Sequence, residues 1–115
     1  MARMTTNIDP ALTEGVDLRA HVQNAARFLE NRVGDSAVDP RAEWTLVKDS
    51  FGAPAIRVRV SDEGVSEEAT IAGHEIADYQ LTRMRLYDLW FDLLGKRITL
   101  HNERYQELVN SSSEE

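Results

Sequence analysis

Cysteine is absent from this chain of 115 residues, and histidine occurs three times. Without thiols there can be no disulfide, no cysteine-ligated zinc and no thiol nucleophile. The lack of cysteine is typical of a reducing compartment, so we expect a cytoplasmic protein. His21, His74 and His101 are scattered, whereas helical metal sites usually place two ligands three or four residues apart. We therefore expect no metal, no other cofactor and no catalytic residue.

Long hydrophobic runs are also missing. Nowhere do about 18 apolar residues follow one another, and the first residues include no apolar segment of a secretion signal. Basic residues are in the minority, since 20 acids and 13 bases give a net charge of −7. The stretch 62–78 contains six acids and neither lysine nor arginine. Phosphate groups repel such a surface, so we expect no binding to membranes or nucleic acids.

Proline and glycine are scarce in the last third of the chain, where only Gly95 interrupts the stretch from Asp78 to about Val109. That stretch predicts one long amphipathic helix, although a break at Gly95 remains open. Its apolar residues recur with helical spacing along two adjacent stripes, whereas one stripe would suffice to cover a small sheet. The first stripe consists of Met84, Tyr87, Phe91, Leu94, Ile98, Tyr105 and Leu108. The second consists of Leu86, Leu89, Trp90, Leu93 and Leu100.

A helix and several strands are predicted to precede the long helix. Asp17 is a suitable N-cap for a helix that runs to Val33, after a mobile tail over residues 1–12. Strands are predicted at residues 43–48 and 55–61, because β-formers are abundant in the first and apolar and polar residues alternate in the second.

The fold class follows from this order. Residues 66–73 fit a strand or a backward extension of the long helix, and we prefer the strand because Gly73 would cost about 1 kcal/mol inside a helix. We expect one α+β domain over residues 13–110, with an N-terminal helix, a small antiparallel β-meander of two to three strands and a long C-terminal helix. Residues 111–115 are predicted to be disordered.

Charged residues offer one candidate ligand site. Arg57 and Arg59 should share the outer face of the second strand, opposite Ile56, Val58 and Val60, and two guanidiniums can hold a phosphate or carboxylate. An anion-binding or enzymatic pocket could therefore use both arginines together with His74. The alternative is ordinary pairing across strands. The acids available for such pairs are Glu43, Glu67 and Glu68.

Two carboxylates on the long helix, Asp88 and Asp92, could hold a cation. Arg85 precedes Asp88 by three residues and Lys96 follows Asp92 by four, which predicts a ladder of ion pairs on a solvent-facing helix surface. We prefer that ladder to a binding site.

The surplus of apolar residues on the long helix is the strongest functional clue. Aromatic residues are enriched at protein interfaces, and an uncovered apolar stripe favours association. We therefore expect a non-catalytic, cytoplasmic protein-binding or assembly protein, a homodimer through the long helix that recognises a protein partner. The alternatives are the anion-binding domain described above and an acidic decoy that mimics nucleic acid with the carboxylates of residues 62–78. The residues expected to bind the partner are Tyr87, Trp90, Phe91, Leu94 and Ile98.

Overall fold

The computed structural model describes residues 4–33 and 37–113. It contains a four-stranded sheet and two helices, whose buried side chains form one hydrophobic cluster with the inner face of the sheet. The elements are β1 (Thr5–Ile8), α1 (Val16–Val33), β2 (Arg41–Lys48), β3 (Pro54–Asp62), β4 (Val65–Ala72) and α2 (Tyr79–Ser113).

The sheet has the order β1-β2-β3-β4. β1 runs parallel to β2, whereas the pairs β2–β3 and β3–β4 are antiparallel. Along β3, Ile56, Val58 and Val60 are buried, while Arg57 and Arg59 are exposed on the opposite face. The predicted alternation of this strand is therefore confirmed, and it fixes which face of the sheet receives the helices.

A tight turn joins β3 to β4. Glu63 and Gly64 separate the paired residues Asp62 and Val65, and both have positive φ angles, 52° and 81°. Two consecutive left-handed residues match the right-handed twist of the strands, and glycine adopts this conformation without steric cost. The turn brings two acidic side chains, those of Asp62 and Glu63, next to α2.

α2 is a continuous helix of 35 residues, with no break at Gly95. Asp78 caps its first turn, because the amide of Leu81 donates to the Asp78 carboxylate at 3.2 Å. At 1.5 Å per residue the helix is about 52 Å long, far longer than β4, on which it packs. Its C-terminal part consequently extends past the sheet.

The predicted α+β class is confirmed, but the details of the first and last segments were wrong. The sheet has four strands rather than two or three, and the chain opens with a strand, β1, rather than with a helix. Residues 5–12 are not a tail: β1 is followed by a 3-10 turn at Pro10–Leu12, and Leu12 is fully buried. α1 begins at Val16, before the proposed cap Asp17. At the other end the helix includes residues 111–113, whereas residues 114–115 lie outside the described part.

Residues 65–72 form a strand, as preferred from the sequence. Gly73 follows it, and a Cβ atom at this position would lie 2.9 Å from the carbonyl oxygen of Pro54. The amide of Gly73 donates to the same oxygen at 3.1 Å, so the close approach of the two backbones continues the β3–β4 ladder by one bond. A side chain at Gly73 would push these backbones apart.

Candidate interface on the long helix

The two apolar stripes of α2 face different environments. Leu86, Leu89, Trp90 and Leu93 are buried between the helix, the sheet and α1. The other stripe is largely uncovered: five of its seven members have exposed fractions between 54% for Phe91 and 69% for Leu108, and Tyr87 and Leu94 are half-buried. We call this uncovered stripe the α2 stripe. Its members are Met84, Tyr87, Phe91, Leu94, Ile98, Tyr105 and Leu108.

The α2 stripe has a regular seven-residue period. Met84, Phe91, Ile98 and Tyr105 are each seven residues apart, and Tyr87, Leu94, His101 and Leu108 form a second series three residues further on. Together they make four heptads with the a and d positions filled, of which His101 is the one polar member. This pattern is typical of a helix that pairs with another helix along a narrow seam.

The N-terminal half of the stripe adjoins α1 through a cluster of aromatic rings. Phe28 of α1 contacts Tyr87 edge to face with ring centres 5.4 Å apart, and Tyr87 stacks on Phe91 at 6.1 Å. The guanidiniums of Arg32 and Arg83 lie over the rings of Tyr87 and Phe28, at 4.5 and 5.3 Å. These contacts hold Tyr87 half-buried and leave the outer side of Phe91 accessible to a partner.

The C-terminal half of the stripe lies on the part of α2 from Ile98 onward, which we call the arm. Every side chain from His101 to Asn110 is exposed. Helices in proteins owe most of their stability to the packing of an apolar face rather than to helix propensity. A helical arm that displays Ile98, Tyr105 and Leu108 therefore favours a structure in which another chain covers it.

Gly95 lies near the middle of α2, in open space. An added Cβ atom would meet nothing within 4 Å, and the backbone there is ordinary helix. Glycine in a helix interior costs about 1 kcal/mol relative to alanine. Among the described residues, no contact within the chain explains that cost.

A network of charged groups fixes α2 to the β3–β4 turn. The carboxylate of Asp62 is fully buried and accepts hydrogen bonds from the amides of Val38 and Asp39, at 3.2 and 2.8 Å. Arg97 places one guanidinium nitrogen 3.2 Å from Asp62 and another 2.8 Å from Glu63. Its side chain is only 15% exposed. This single arginine therefore ties the helix to two consecutive acids of the turn and, through Asp62, to the loop before β2.

His101 completes the network from one turn further along the helix. Its Nε2 atom lies 3.3 Å from the Glu63 carboxylate. The hydrogen bond from His101, together with those from Arg97 and the positive charges of both residues, lowers the pKa of Glu63 below its ordinary value of 4.5, against a smaller opposing effect of burial. Glu63 is consequently held ionised at the base of the arm.

The acidic stretch 62–78 is largely neutralised by α2. Besides the pairs made by Arg97, Lys96 lies 2.6 Å from Glu67 and Arg85 lies 3.2 Å from Glu75. These acids are therefore committed to intramolecular ion pairs, which weakens the decoy hypothesis. The predicted ladder through Asp88 and Asp92 was wrong, because Arg85 pairs with Glu75 and Lys96 pairs with Glu67 instead.

The residues of the candidate anion site lie on two parts of the fold, β3 and the turn after β4. Arg57 lies opposite Thr45 and Thr70 on the outer sheet face, and Arg59 lies opposite Glu43 and Glu68. The predicted pairing of Glu67 with one of these arginines was wrong, because Glu67 faces Val60 across the ladder. His74 lies in an exposed turn after β4, 4.0 Å from Glu75.

A groove of about 300 Å³ between α1 and α2 is lined by other residues, including His21, Phe28, Tyr79 and Arg83. None of the residues of the candidate anion site, Arg57, Arg59 and His74, lines this groove. Nδ1 of His21 is buried and makes no hydrogen bond, and its ring contacts Tyr79 edge to face at 6.3 Å. His21 is thus a packing residue at the rim of the helix pair.

Of the five residues expected to bind a partner, four belong to the α2 stripe. Trp90 does not, because it is 3% exposed and packs in the core. Across the described residues, no group of three or more acids and histidines could hold a metal ion. Within the same residues, no helix is long and apolar enough to cross a membrane. No family model, characterised protein or solved structure matches the chain.

Proposed function

We propose that this protein is a non-catalytic, cytoplasmic assembly protein that forms a homodimer through the α2 stripe and in that form recognises a protein partner. The observation that supports the proposal most directly is the exposure of Met84, Phe91, Ile98, Tyr105 and Leu108 along one continuous line. Soluble monomers rarely leave an apolar surface of this extent in water.

Two further features favour association of identical chains. A twofold axis lets one surface cover itself, so a single stripe suffices for both partners. The arm beyond Ile98 gains the packing that an isolated helix of its length lacks. The additional partner is expected to be a protein, because the net charge of −7 opposes binding to phosphate backbones.

The solution mass tests the proposal. Light scattering at micromolar concentration is expected to give about 26 kDa, twice the chain mass of 13.0 kDa. The double variant Ile98→Asp, Leu108→Asp places two charges on the stripe and is expected to give 13 kDa, because a dimer would have to bury them without counterions.

The matched control is Thr99→Asp, Gln106→Asp, which adds the same charges at exposed positions of the same arm outside the stripe. This variant is expected to remain a dimer. A wild-type mass of 13 kDa across the accessible concentration range would refute the proposal, and so would dissociation of both variants alike.

A further inference from the structure

The seven residues of the α2 stripe and His101 occupy eight a and d positions, which we call the seam positions. Read along the helix, these positions form a palindrome of side-chain types. From position 84 to 108 the order is aliphatic, aromatic, aromatic, aliphatic, and then aliphatic, aromatic, aromatic, aliphatic, with the imidazole ring of His101 counted as aromatic. The centre of this pattern is residue 96. Given the homodimer proposed above, we infer that two copies pack with their α2 helices antiparallel and that the twofold axis passes beside residue 96.

In this arrangement each seam residue meets a residue of its own kind. Aliphatic side chains pair at the ends and in the middle, where Met84 faces Leu108 of the partner subunit and Leu94 faces Ile98 of the partner subunit. Rings pair between them, as in Tyr87 with Tyr105 of the partner subunit. Alternating a and d contacts of this sort are what an antiparallel pair requires, whereas a parallel pair matches every residue with itself and needs no palindrome.

An antiparallel pair centred on residue 96 brings most of the described length of α2, Tyr79–Ser113, into the overlap. The arm of each copy then lies along the partner's Met84, Tyr87 and Phe91, beside the aromatic contact with Phe28. The open space at Gly95 falls next to the axis, where the second helix passes.

The charge of the chain also favours the antiparallel arrangement. Each copy carries a net charge of −7, and an antiparallel pair places the two α/β bodies towards opposite ends of the paired helices. A parallel pair would place these acidic bodies side by side. Like charges at short distance oppose association, so the antiparallel pair has the smaller electrostatic cost.

Introduced cysteines test the orientation directly, because the natural chain has none. Two single variants, Met84→Cys and Leu108→Cys, are made with affinity tags of different length, mixed to exchange subunits, and oxidised with glutathione disulfide. A mixed covalent dimer of intermediate size is expected, while each variant alone is expected to stay uncrosslinked. Thr99→Cys replaces Leu108→Cys in the control, since it is exposed on the same arm but outside the seam.

Each outcome has a definite meaning. A mixed disulfide for the 84/108 pair, absent with Thr99→Cys, supports the antiparallel seam, and the pair Tyr87→Cys with Tyr105→Cys should repeat the result. Self-crosslinking of Met84→Cys alone means a parallel pair and overturns the inference while leaving the proposed dimer intact. A dimeric mass with no seam disulfide means that another surface pairs, and a monomeric mass overturns both the inference and the proposed function.

Discussion

At Arg97, three separate segments of the chain meet around one guanidinium. The side chain joins α2 to both acids of the β3–β4 turn, and Asp62 in turn accepts the amides of Val38 and Asp39. Removing one member of a buried ion pair is costly, because the other charge stays in a low-dielectric site without its counterion. Arg97→Met is therefore expected to lower the free energy of unfolding by about 3–5 kcal/mol, measured by urea denaturation at fixed protein concentration.

A second substitution separates the lost charge from the lost packing. Asn at position 62 keeps an oxygen for the two loop amides but carries no charge. Adding Asp62→Asn to Arg97→Met is expected to recover part of the stability, because no unpaired carboxylate remains. If the double variant were less stable than Arg97→Met alone, the buried charge would not be the cause.

Glu63 gives this network a defined pH dependence. Its pKa is lowered in the folded chain, mainly by the hydrogen bond from His101, so its ionised form stabilises the fold at pH values above about 4.5. That contribution is lost as the pH falls from 4.5 through the folded-state pKa. Wild type is expected to be more stable than Glu63→Gln at pH 6, and the difference should shrink as the pH falls below 4.5.

Thermal melts at several pH values measure that difference. Glu68→Gln is the matched control, because Glu68 is exposed and the described residues include no cation within ion-pairing distance of it. Its difference from wild type should stay small throughout. A gap between Glu63→Gln and wild type that widens in acid would contradict the proposed role of the ionised carboxylate.

Individual ion pairs could not be predicted from the sequence, although the participating charges were visible in it. Helical spacing suggested that Arg85 and Lys96 would pair with Asp88 and Asp92. In the fold these cations reach Glu75 and Glu67 instead. Local spacing reports only neighbours on the same helix, whereas the sheet brings acids from distant parts of the chain to the same place.

Among the elements, β3 has the clearest division between buried and exposed residues. Val58 is fully buried at the centre of the sheet, so Val58→Asp is expected to unfold the domain by burying an unpaired charge. Arg57→Ala and Arg59→Ala are the matched controls on the outer face and should change stability by less than about 1 kcal/mol. Circular dichroism and urea denaturation report both results. If the arginine substitutions unfolded the domain and Val58→Asp did not, the assignment of the buried and exposed faces of β3 would be wrong.

Periodicity alone predicted the elements with strong local patterns and missed those that depend on distant contacts. The alternation in β3 and the helical repeat of α2 were sufficient to locate both elements. β1 was missed because four residues give little signal, and its parallel pairing joins Thr5 to Arg41 across the intervening helix. On α2 the two apolar stripes looked equivalent, and only the packing shows that Trp90 belongs to the buried one while Phe91 remains exposed.

Over the whole molecule, charge and apolar surface are separated. The seam positions include no Asp, Glu, Lys or Arg, whereas each copy has a net charge of −7. In the proposed dimer, the two copies therefore repel one another at long range while their stripes attract at contact. Dimerisation should respond to salt in the direction opposite to that of an interface built from ion pairs.

Raising the concentration of NaCl from 0.1 to 1 M is accordingly expected to tighten the dimer, because the Debye length falls from about 10 Å to about 3 Å and the repulsion between the acidic bodies is screened. Sedimentation velocity over a dilution series measures the dissociation constant at each salt concentration. The variant Glu14→Gln, Glu68→Gln reduces the net charge to −5 at two exposed positions outside the seam, so its response to salt should be weaker. Weaker association at high salt would mean that ion pairs between the copies, rather than the apolar seam, hold the dimer together.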